Sequence, residues 1–262
     1  MMKPLQDKLV APRYTARFIN SRLYGVIVLD FLVKGDSHPC PYAPGRRARE
    51  EAFRAADIPS DLYHDLMDIG FRRSGRLFYR PTCDNCNDCH ALRVPTRDFR
   101  FTKSQRRVLR KNQDIRVRVS RPVFSQEKEL LYRRYLEFQH PSTNQDNPGD
   151  LERFLYKTSV STVELEYRLK GRLVAVGITD ISARSLSSVY TYFDPESSER
   201  SLGTYSALRE ILFCREIKVP FYYLGYYISE CPSMSYKARF KPHELLISDN
   251  EWVRVERGHE PE

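Results

Sequence analysis

Three cysteines spaced two residues apart place the strongest constraint on how this chain folds. Cys83, Cys86 and Cys89 form a C-x2-C-x2-C pattern within the stretch YRPTCDNCNDCHALRV at residues 79–94. A loop with this spacing directs its thiolates toward one point. Thiolate ligands of zinc or of an iron–sulfur cluster supply much of the folding free energy of loop-rich segments, and such centres take four ligands. The pattern therefore predicts a metal site that needs one more ligand.

The fourth ligand predicted from the sequence is Cys40, which lies in the proline-rich loop HPCPY. Cys214 and Cys231 stand alone in apolar or tyrosine-rich surroundings, and His38 and His90 are alternative ligands. Reduced thiols that bind no metal also fit the pattern. Disulfides are disfavoured, because no secretory signal opens the chain and no apolar run reaches the roughly 20 residues of a membrane span. We therefore expect a cytoplasmic protein without a membrane partner.

Positive charge is concentrated in one segment of the chain. The 262 residues carry a formal net charge of +9, and residues 97–118 hold nine basic side chains against two acidic ones. The pattern predicts a helix over residues 103–113 with basic side chains on one face and Val108 and Leu109 on the other. The basic face consists of Lys103, Arg106, Arg107 and Arg110. Such a face neutralises phosphates of a nucleic acid, or it is only a solvated surface.

The first half of the chain alternates predicted strands and helices. Residues 23–33 have the β-branched and aromatic content of a buried strand, whereas residues 46–56 have a helical composition. Ser60 is the predicted N-cap of a helix over residues 61–69. Residues 71–80 then lead as a strand into the cysteine loop.

The second half is predicted to begin after a polar, turn-rich segment at residues 140–150. We place a domain boundary there, between a cysteine-containing, nucleic-acid-contacting region at residues 1–140 and a second domain at residues 141–262. A helix over residues 126–139, capped by Ser125, precedes the boundary. The elements predicted beyond it are strands at 162–169, 173–181, 185–193 and 221–224, and a helix at 202–217.

A meander of antiparallel strands that leads into a helix is typical of acyltransferases of the GNAT type. In that arrangement the helix N-terminus binds phosphate. The corresponding turn here has one glycine, Gly203, where coenzyme A binders have two or three closely spaced. This disfavours acetyl-coenzyme A and leaves room for another acyl donor with a phosphate near its ester. We predict an α+β fold with a GNAT-like acyltransferase domain and a smaller cysteine-containing N-terminal domain.

Six stretches, in this order, carry a resemblance to a known family: HPCPYAPGRRAR, YRPTCDNCNDCHALRV, FRFTKSQRRVLRKNQDI, SSVYTYFDP, RSLGTYSALREI and YLGYYISECPSMSYKARFKPHELL. Over residues 31–246 the chain resembles the arginyl-tRNA:protein transferase family, in its bacterial aspartate/glutamate leucyltransferase branch. The resemblance implies transfer of an amino acid from aminoacyl-tRNA to the α-amine of proteins with an N-terminal Asp or Glu. That product is an N-degron that directs protein degradation. Relatives that bind an iron–sulfur cluster favour that centre, with zinc as the alternative.

The chemistry of this transfer makes modest demands on the protein. The donor ester is already activated, and an α-amine with a pKa of about 7.7 to 8.0 is partly neutral at pH 7. Positioning, a proton acceptor and donors to the oxyanion are sufficient. The candidate catalytic residues are Asp180, Tyr190, Tyr192 and Asp194. The tyrosines also fit an aromatic ladder in the core, and Asp194, before Pro195, also fits a turn.

Recognition of an acidic N-terminus requires a cation. Lys237 and Arg239, with Tyr236 in the same tyrosine-rich segment, are the candidates, and ordinary surface charge is the alternative. Gly203 joins the basic helix as a candidate contact to tRNA. Leucine is the expected donor and arginine the alternative, because a leucine pocket needs only apolar walls whereas an arginine pocket needs one buried acid. A cysteine-metal, nucleic-acid-binding module without catalysis is a further hypothesis, which leaves the second half unexplained.

Overall fold

The computed structural model describes residues 28–139 and 151–257, which form a mixed fold of helices and sheets. The strands are β1 Val28–Lys34, β2 His38–Pro39, β3 Arg47–Ala48, β4 Glu50–Ala55, β5 Arg72–Ser74, β6 Leu77–Pro81, β7 His90–Pro95, β8 Ile115–Ser120, β9 Thr162–Leu169, β10 Arg172–Ile181, β11 Ser185–Phe193, β12 Phe221–Tyr227, β13 His243–Ser248 and β14 Glu251–Val255. The helices are α1 Ser60–Asp68, α2 Lys103–Lys111, α3 Gln126–Gln139, α4 Leu202–Glu216 and α5 Pro232–Ser235. Shorter helical turns lie at Glu152–Tyr156, Pro195–Arg200 and Tyr236–Arg239.

The largest sheet has eight strands in the order β14-β13-β7-β12-β11-β10-β9-β8. Strands β7 and β8 precede residue 140 in the chain and the other six follow residue 150, so both halves contribute to one sheet. The predicted boundary at residues 140–150 lies outside the described residues. No helix in the described ranges is long and apolar enough to cross a membrane.

One neighbouring pair of strands in this sheet is parallel, whereas the others are antiparallel. Strands β11 and β12 are joined through α4 and pair only where Ser185–Ser187 meets Phe221–Tyr223. Beyond these residues β11 continues to Phe193 and β12 to Tyr227, but the two strands no longer pair with each other. Strand β11 also carries a bulge at Val189 opposite β10. The sheet is therefore open between the ends of β11 and β12. The predicted meander of antiparallel strands, β9 to β11, followed by a helix is confirmed.

A four-stranded antiparallel sheet, in the order β1-β4-β6-β5, covers α1 and corrects one prediction. Residues 46–56 are not helical but form β3 and β4. The physical reason is the burial pattern with a period of two residues, in which Glu51, Phe53 and Ala55 point inward and Arg54 points outward. Glu51 is accommodated inside because Arg80 on β6 pairs with its carboxylate.

Local capping explains where the helices begin. The helix predicted at residues 61–69 is present, but its N-cap is Pro59 and Ser60 is already helical. The basic helix α2 begins after Thr102, whose side chain accepts a hydrogen bond from Gln105 N while the Gln105 side chain bonds back to Thr102 N. This capping box satisfies two backbone donors that the first turn leaves unpaired. Ser125 caps α3 as predicted, through Lys128 N at 3.4 Å.

Candidate active site

Two cations meet at the opening between β11 and β12. Arg72 reaches it from β5, and its guanidinium donates hydrogen bonds to Ser187 Oγ at 2.9 Å and to the Ser188 carbonyl. Lys237 reaches it from the turn Tyr236–Arg239, and its Nζ donates to the Tyr226 carbonyl at 2.5 Å. A Cβ atom at Gly225 of β12 would lie 3.3 Å from Lys237 Nζ and 3.5 Å from Arg72 Nη2. Both cations therefore face the same point, which a glycine keeps clear.

Among the described residues, the two cations lack a balancing carboxylate. No Asp or Glu side chain within residues 28–139 and 151–257 forms an ion pair with Arg72 or Lys237. Burial, and to a lesser extent the charge of Arg72, lowers the pKa of Lys237 to about 7. A buried pair of like charges is unfavourable, and an anion placed between the two cations relieves both the desolvation and the repulsion. The opening is thus a ready site for a carboxylate.

The structure brings two of the three predicted acceptor-binding residues to this opening. Tyr236 stands at its rim with its side chain partly exposed, and burial raises the pKa of its hydroxyl to about 12. Arg239 is exposed, and its carbonyl accepts a hydrogen bond from Gln105 of α2 at 3.2 Å. Arg72, which the sequence analysis did not single out, stands beside Lys237 instead. Nothing in the linear sequence distinguishes Arg72 from its neighbour Arg73. Their roles differ only in the folded strand, because their side chains point to opposite faces of β5.

Asp180 is enclosed by hydrogen-bond donors. It is fully buried, and the Arg73 guanidinium donates to both carboxylate oxygens at 2.5 Å. The hydroxyls of Tyr63 and Thr162 donate at 2.8 and 2.7 Å. The carboxylate thus links the four-stranded sheet to the eight-stranded sheet, and its lone pairs are engaged by the protein.

Asp194 is buried at the start of the turn that leads into α4. Its carboxylate pairs with Arg172 Nη2 at 2.9 Å and accepts a hydrogen bond from Glu196 N at 3.3 Å. The second bond is that of an N-cap to the turn Pro195–Arg200. Asp194 therefore shapes the connection between β11 and α4. This is the turn that its position before Pro195 suggested as the alternative to a catalytic role.

Tyr190 and Tyr192 belong to a packed aromatic and apolar cluster between β11 and α3. Tyr190 packs edge to face against Tyr132, Tyr135 and Phe154, with centroid distances of 5.3 to 6.2 Å. Tyr192 is fully buried, and its hydroxyl lies 3.1 Å from that of Tyr156 in the helical turn Glu152–Tyr156. Burial raises the pKa of both hydroxyls far above neutrality, so each is a hydrogen-bond donor and not a base.

A buried acid near this aromatic cluster is already paired. Glu164 on β9 lies within electrostatic reach of Tyr156 and Tyr192. Its carboxylate bonds to Lys128 Nζ at 2.5 Å, and Lys128 also pairs with Glu166 at 2.9 Å. The cluster itself is aromatic and apolar.

The four cysteines of the predicted metal site lie within electrostatic reach of one another. Burial, and to a lesser extent the charges of Cys83, Cys86 and Cys40, raises the pKa of the Cys89 thiol to about 12. The donor set is that of a zinc or iron–sulfur centre. All six cysteines of the chain are free thiols, and no three His, Cys, Asp or Glu side chains in the described part of the chain are arranged to hold a metal ion.

The four basic residues of α2 are exposed as predicted, and the opposite face of α2 packs on α4. Arg106 Nη1 donates to the Phe101 carbonyl at 2.6 Å, which orients one of the four. Gly203 lies in the first turn of α4, beside the C-terminal end of α2, where Lys111 bonds to the Glu199 carbonyl. The basic face and the N-terminus of α4 therefore belong to neighbouring parts of one surface.

The mixed sheet, open between two parallel strands that a helix joins, has the order of elements predicted for an acyltransferase of the GNAT type. Family models agree. The model described as Arginine-tRNA-protein transferase, N terminus, matches residues 38–107, and the corresponding C-terminus model matches residues 127–247. The chain belongs to the arginine-tRNA-protein transferase family.

Curated relatives cover most of the chain. A protein named aspartate/glutamate leucyltransferase from Hahella chejuensis is 39% identical over 83% of this chain and 94% of its own length. Its namesake from Pseudomonas aeruginosa is 39% identical with the same coverage. Among solved structures, L-PGS from Bacillus licheniformis matches with a TM-score of 0.39 at 15% identity, over 64% of this chain and 49% of its own. FemX matches with a TM-score of 0.41 at 9% identity, over 66% of this chain and 62% of its own.

Proposed function

We propose that this protein transfers leucine from leucyl-tRNA to the α-amine of proteins that begin with Asp or Glu. The observation that carries the proposal is the pair of cations, Arg72 and Lys237, which face one point without a carboxylate partner among the described residues. The side chain of an acidic N-terminal residue supplies the missing anion. The names of the relatives support the same acceptor and donor. Because charged tRNA is the co-substrate, the reaction belongs in the cytoplasm, where it marks proteins for degradation.

Leucine, and not arginine, is the proposed donor because of the aromatic cluster near the opening. An arginine side chain needs a buried acid whose charge is not already balanced, whereas Glu164 and Glu166 are both paired with Lys128. The rings of Tyr190, Phe154 and their neighbours suit contact with a branched apolar side chain. The tyrosine hydroxyls are hydrogen-bond donors for the developing oxyanion.

Aminoacyl-tRNA is proposed to bind along the basic face of α2, with Gly203 at the adjacent helix N-terminus near a phosphate. Positive side chains and a helix N-terminus both favour phosphate groups. Cys40, Cys83, Cys86 and Cys89 are proposed to bind zinc or an iron–sulfur cluster next to the opening. When bound, the group would tie together the two loops that carry its ligands; the transfer itself needs no step on it.

The decisive experiment incubates the purified protein with radiolabelled leucyl-tRNA or arginyl-tRNA and with peptides that begin with Asp, Glu or Ala. We expect leucine to be transferred to the Asp and Glu peptides only. Transfer to the Ala peptide at the same rate would contradict acidic recognition, and transfer of arginine in preference to leucine would reassign the donor.

The cation pair is tested with substitutions that keep the side-chain stem. Lys237→Met and Arg72→Met are expected to raise the KM for the Asp peptide by roughly 10- to 100-fold, because hydrogen bonds to charged groups contribute about 1.5 to 3 kcal/mol. Arg239→Met is the matched control, since it removes a nearby exposed charge. Equal effects of all three substitutions would mean that the carboxylate binds elsewhere.

A further inference from the structure

A carboxyl group that none of these roles uses lies behind the opening between β11 and β12. Glu210 of α4 is fully buried. Its Oε1 accepts a hydrogen bond from Ser206 Oγ at 2.9 Å, and its Oε2 accepts one from the Tyr222 hydroxyl at 2.9 Å. No cation among the described residues pairs with it. A buried carboxyl surrounded by hydroxyls alone is costly to ionise, so a purely structural role would be better filled by an amide.

Neighbouring strands are shaped around this carboxyl. Gly177 on β10 leaves space for it, because a Cβ atom there would lie 3.1 Å from Glu210 Oε1 and 3.0 Å from Ser206 Oγ. The Tyr167 hydroxyl of β9 bonds to Ser206 at 3.0 Å and holds that hydroxyl beside the carboxyl. Three elements of the sheet and α4 therefore enclose one ionisable group.

Ser188 connects this carboxyl to the cation pair. Its side chain adjoins both Glu210 and Tyr222, while its carbonyl accepts a hydrogen bond from Arg72. It is only half-buried. In an N-terminal Asp only a few bonds separate the side-chain carboxylate from the α-amine. A carboxylate bound by Arg72 and Lys237 thus leaves the amine beside Ser188.

We propose that Glu210 accepts the proton released by the attacking α-amine, with the Ser188 hydroxyl as the relay. The inference rests on the proposed function. The amine nitrogen forms a bond to the carbonyl carbon of the leucyl ester and gives a proton to Ser188 Oγ, which passes its own proton to the Glu210 carboxylate. The bond from the carbonyl carbon to the terminal ribose oxygen then breaks. That oxygen takes the proton back along the same path, and Glu210 ends the cycle ionised.

The titration of Glu210 suits this role. Burial raises the pKa of its carboxyl to about 7, although the Tyr222 and Ser206 hydroxyls oppose the shift. The titratable groups that face it are Cys214 on α4, Tyr167 on β9, Tyr222 on β12 and Tyr236. Burial raises the pKa of each of these four groups, so they stay neutral at pH 7. A proton acceptor is most effective when its pKa lies near the working pH.

Glu210→Gln tests the inference, because it keeps the shape and the hydrogen bonds while removing the titration. We expect kcat to fall roughly 10²-fold, the usual contribution of a proton acceptor. In the wild type both the amine and Glu210 must lose a proton, so log kcat/KM for the Asp peptide should fall toward low pH with a slope of about two. In Glu210→Gln the slope should be about one. A structural role would leave the slope unchanged.

Controls separate this inference from the proposed function. Glu210→Gln should keep the wild-type preference for Asp over Ala peptides and the wild-type affinity for tRNA. The inference alone is overturned if the wild type is active on Asp peptides and Glu210→Gln keeps the wild-type kcat. It is also overturned if Glu210→Gln keeps the wild-type slope of log kcat/KM against pH. A wild type without acidic preference overturns the proposed function as well. If Glu210→Gln fails to fold, Ser188→Ala must lower kcat at unchanged melting temperature, and wild-type kcat in that variant rejects the relay.

Discussion

At the scale of single residues, two side chains of the same type have different roles because they have different partners. Arg73 and Arg72 are adjacent on β5, yet Arg73 forms a buried ion pair with Asp180 whereas Arg72 reaches the opening beside Lys237. Removing one partner of the buried Arg73–Asp180 pair would leave an uncompensated charge, at a cost of about 3 to 5 kcal/mol. Lys237 already lies in that uncompensated condition, which is why its ammonium loses a proton so readily.

Binding of an acidic peptide is therefore expected to weaken as pH rises through about 7. The ammonium of Lys237, whose pKa is lowered to about 7, is charged below that pH and neutral above it, and only the charged form attracts the carboxylate. The ratio of the Kd values of Asp and Ala peptides, measured without aminoacyl-tRNA, should rise with pH in the wild type. In Lys237→Arg it should stay flat, because a guanidinium keeps its proton. A pH dependence that survives in Lys237→Arg would contradict this assignment.

At the scale of elements, α2 combines a capping box with a basic outer face. Thr102 and Gln105 define its start, and the buried side of α2 packs on α4, so the helix presents its charges on a rigid support. Arg106 is held by the Phe101 carbonyl, whereas Arg107 and Arg110 extend into solvent.

Arg107→Ala combined with Arg110→Ala is expected to raise the KM for leucyl-tRNA. Two phosphate contacts are lost, so the slope of log affinity against log salt should flatten by about two units. The matched control removes two exposed arginines elsewhere, through Arg133→Ala and Arg184→Ala. Wild-type tRNA affinity at every salt concentration in the α2 variant would identify this face as merely solvated.

At the scale of the whole molecule, the cysteine loops adjoin the proposed acceptor site. Tyr42, next to Cys40, lies within electrostatic reach of Cys89 and Cys231, and Cys231 in turn lies near Lys237. A metal centre would hold the loop of Cys40 against the loop of Cys83 to Cys89, and so steady one wall of the opening.

Anaerobic purification followed by elemental analysis is expected to find zinc or iron with sulfide. Cys40→Ser should lose the metal and lower the melting temperature, whereas Cys214→Ala, which removes a core thiol, should keep the metal. Four freely titrating thiols in the native wild type, in addition to a metal-free preparation, would reject the centre.

Local features could be predicted from the sequence because they depend on near neighbours. The bounds of β9 and β11, the cap of α3 and the exposed face of α2 follow from periodicity and capping within a few residues. The strand at residues 50–55 could not be predicted in this way, since Glu51 enters the interior only where Arg80 from another strand pairs with it.

The sequence by itself determined the class of the protein and the basic helix, because the motifs that carry them are stretches of contiguous residues, and it predicts the set of four cysteines. Only the tertiary structure decided the site. Arg72 and Lys237 are distant in the chain and meet because β5 packs near the open end of the parallel pair. In the sequence Glu210 is one more polar residue of a predicted helix. Its enclosure follows only from the packing of β10 and β12 against α4. Charge pairing and burial depend on which strands become neighbours, and that order is a property of the folded sheet.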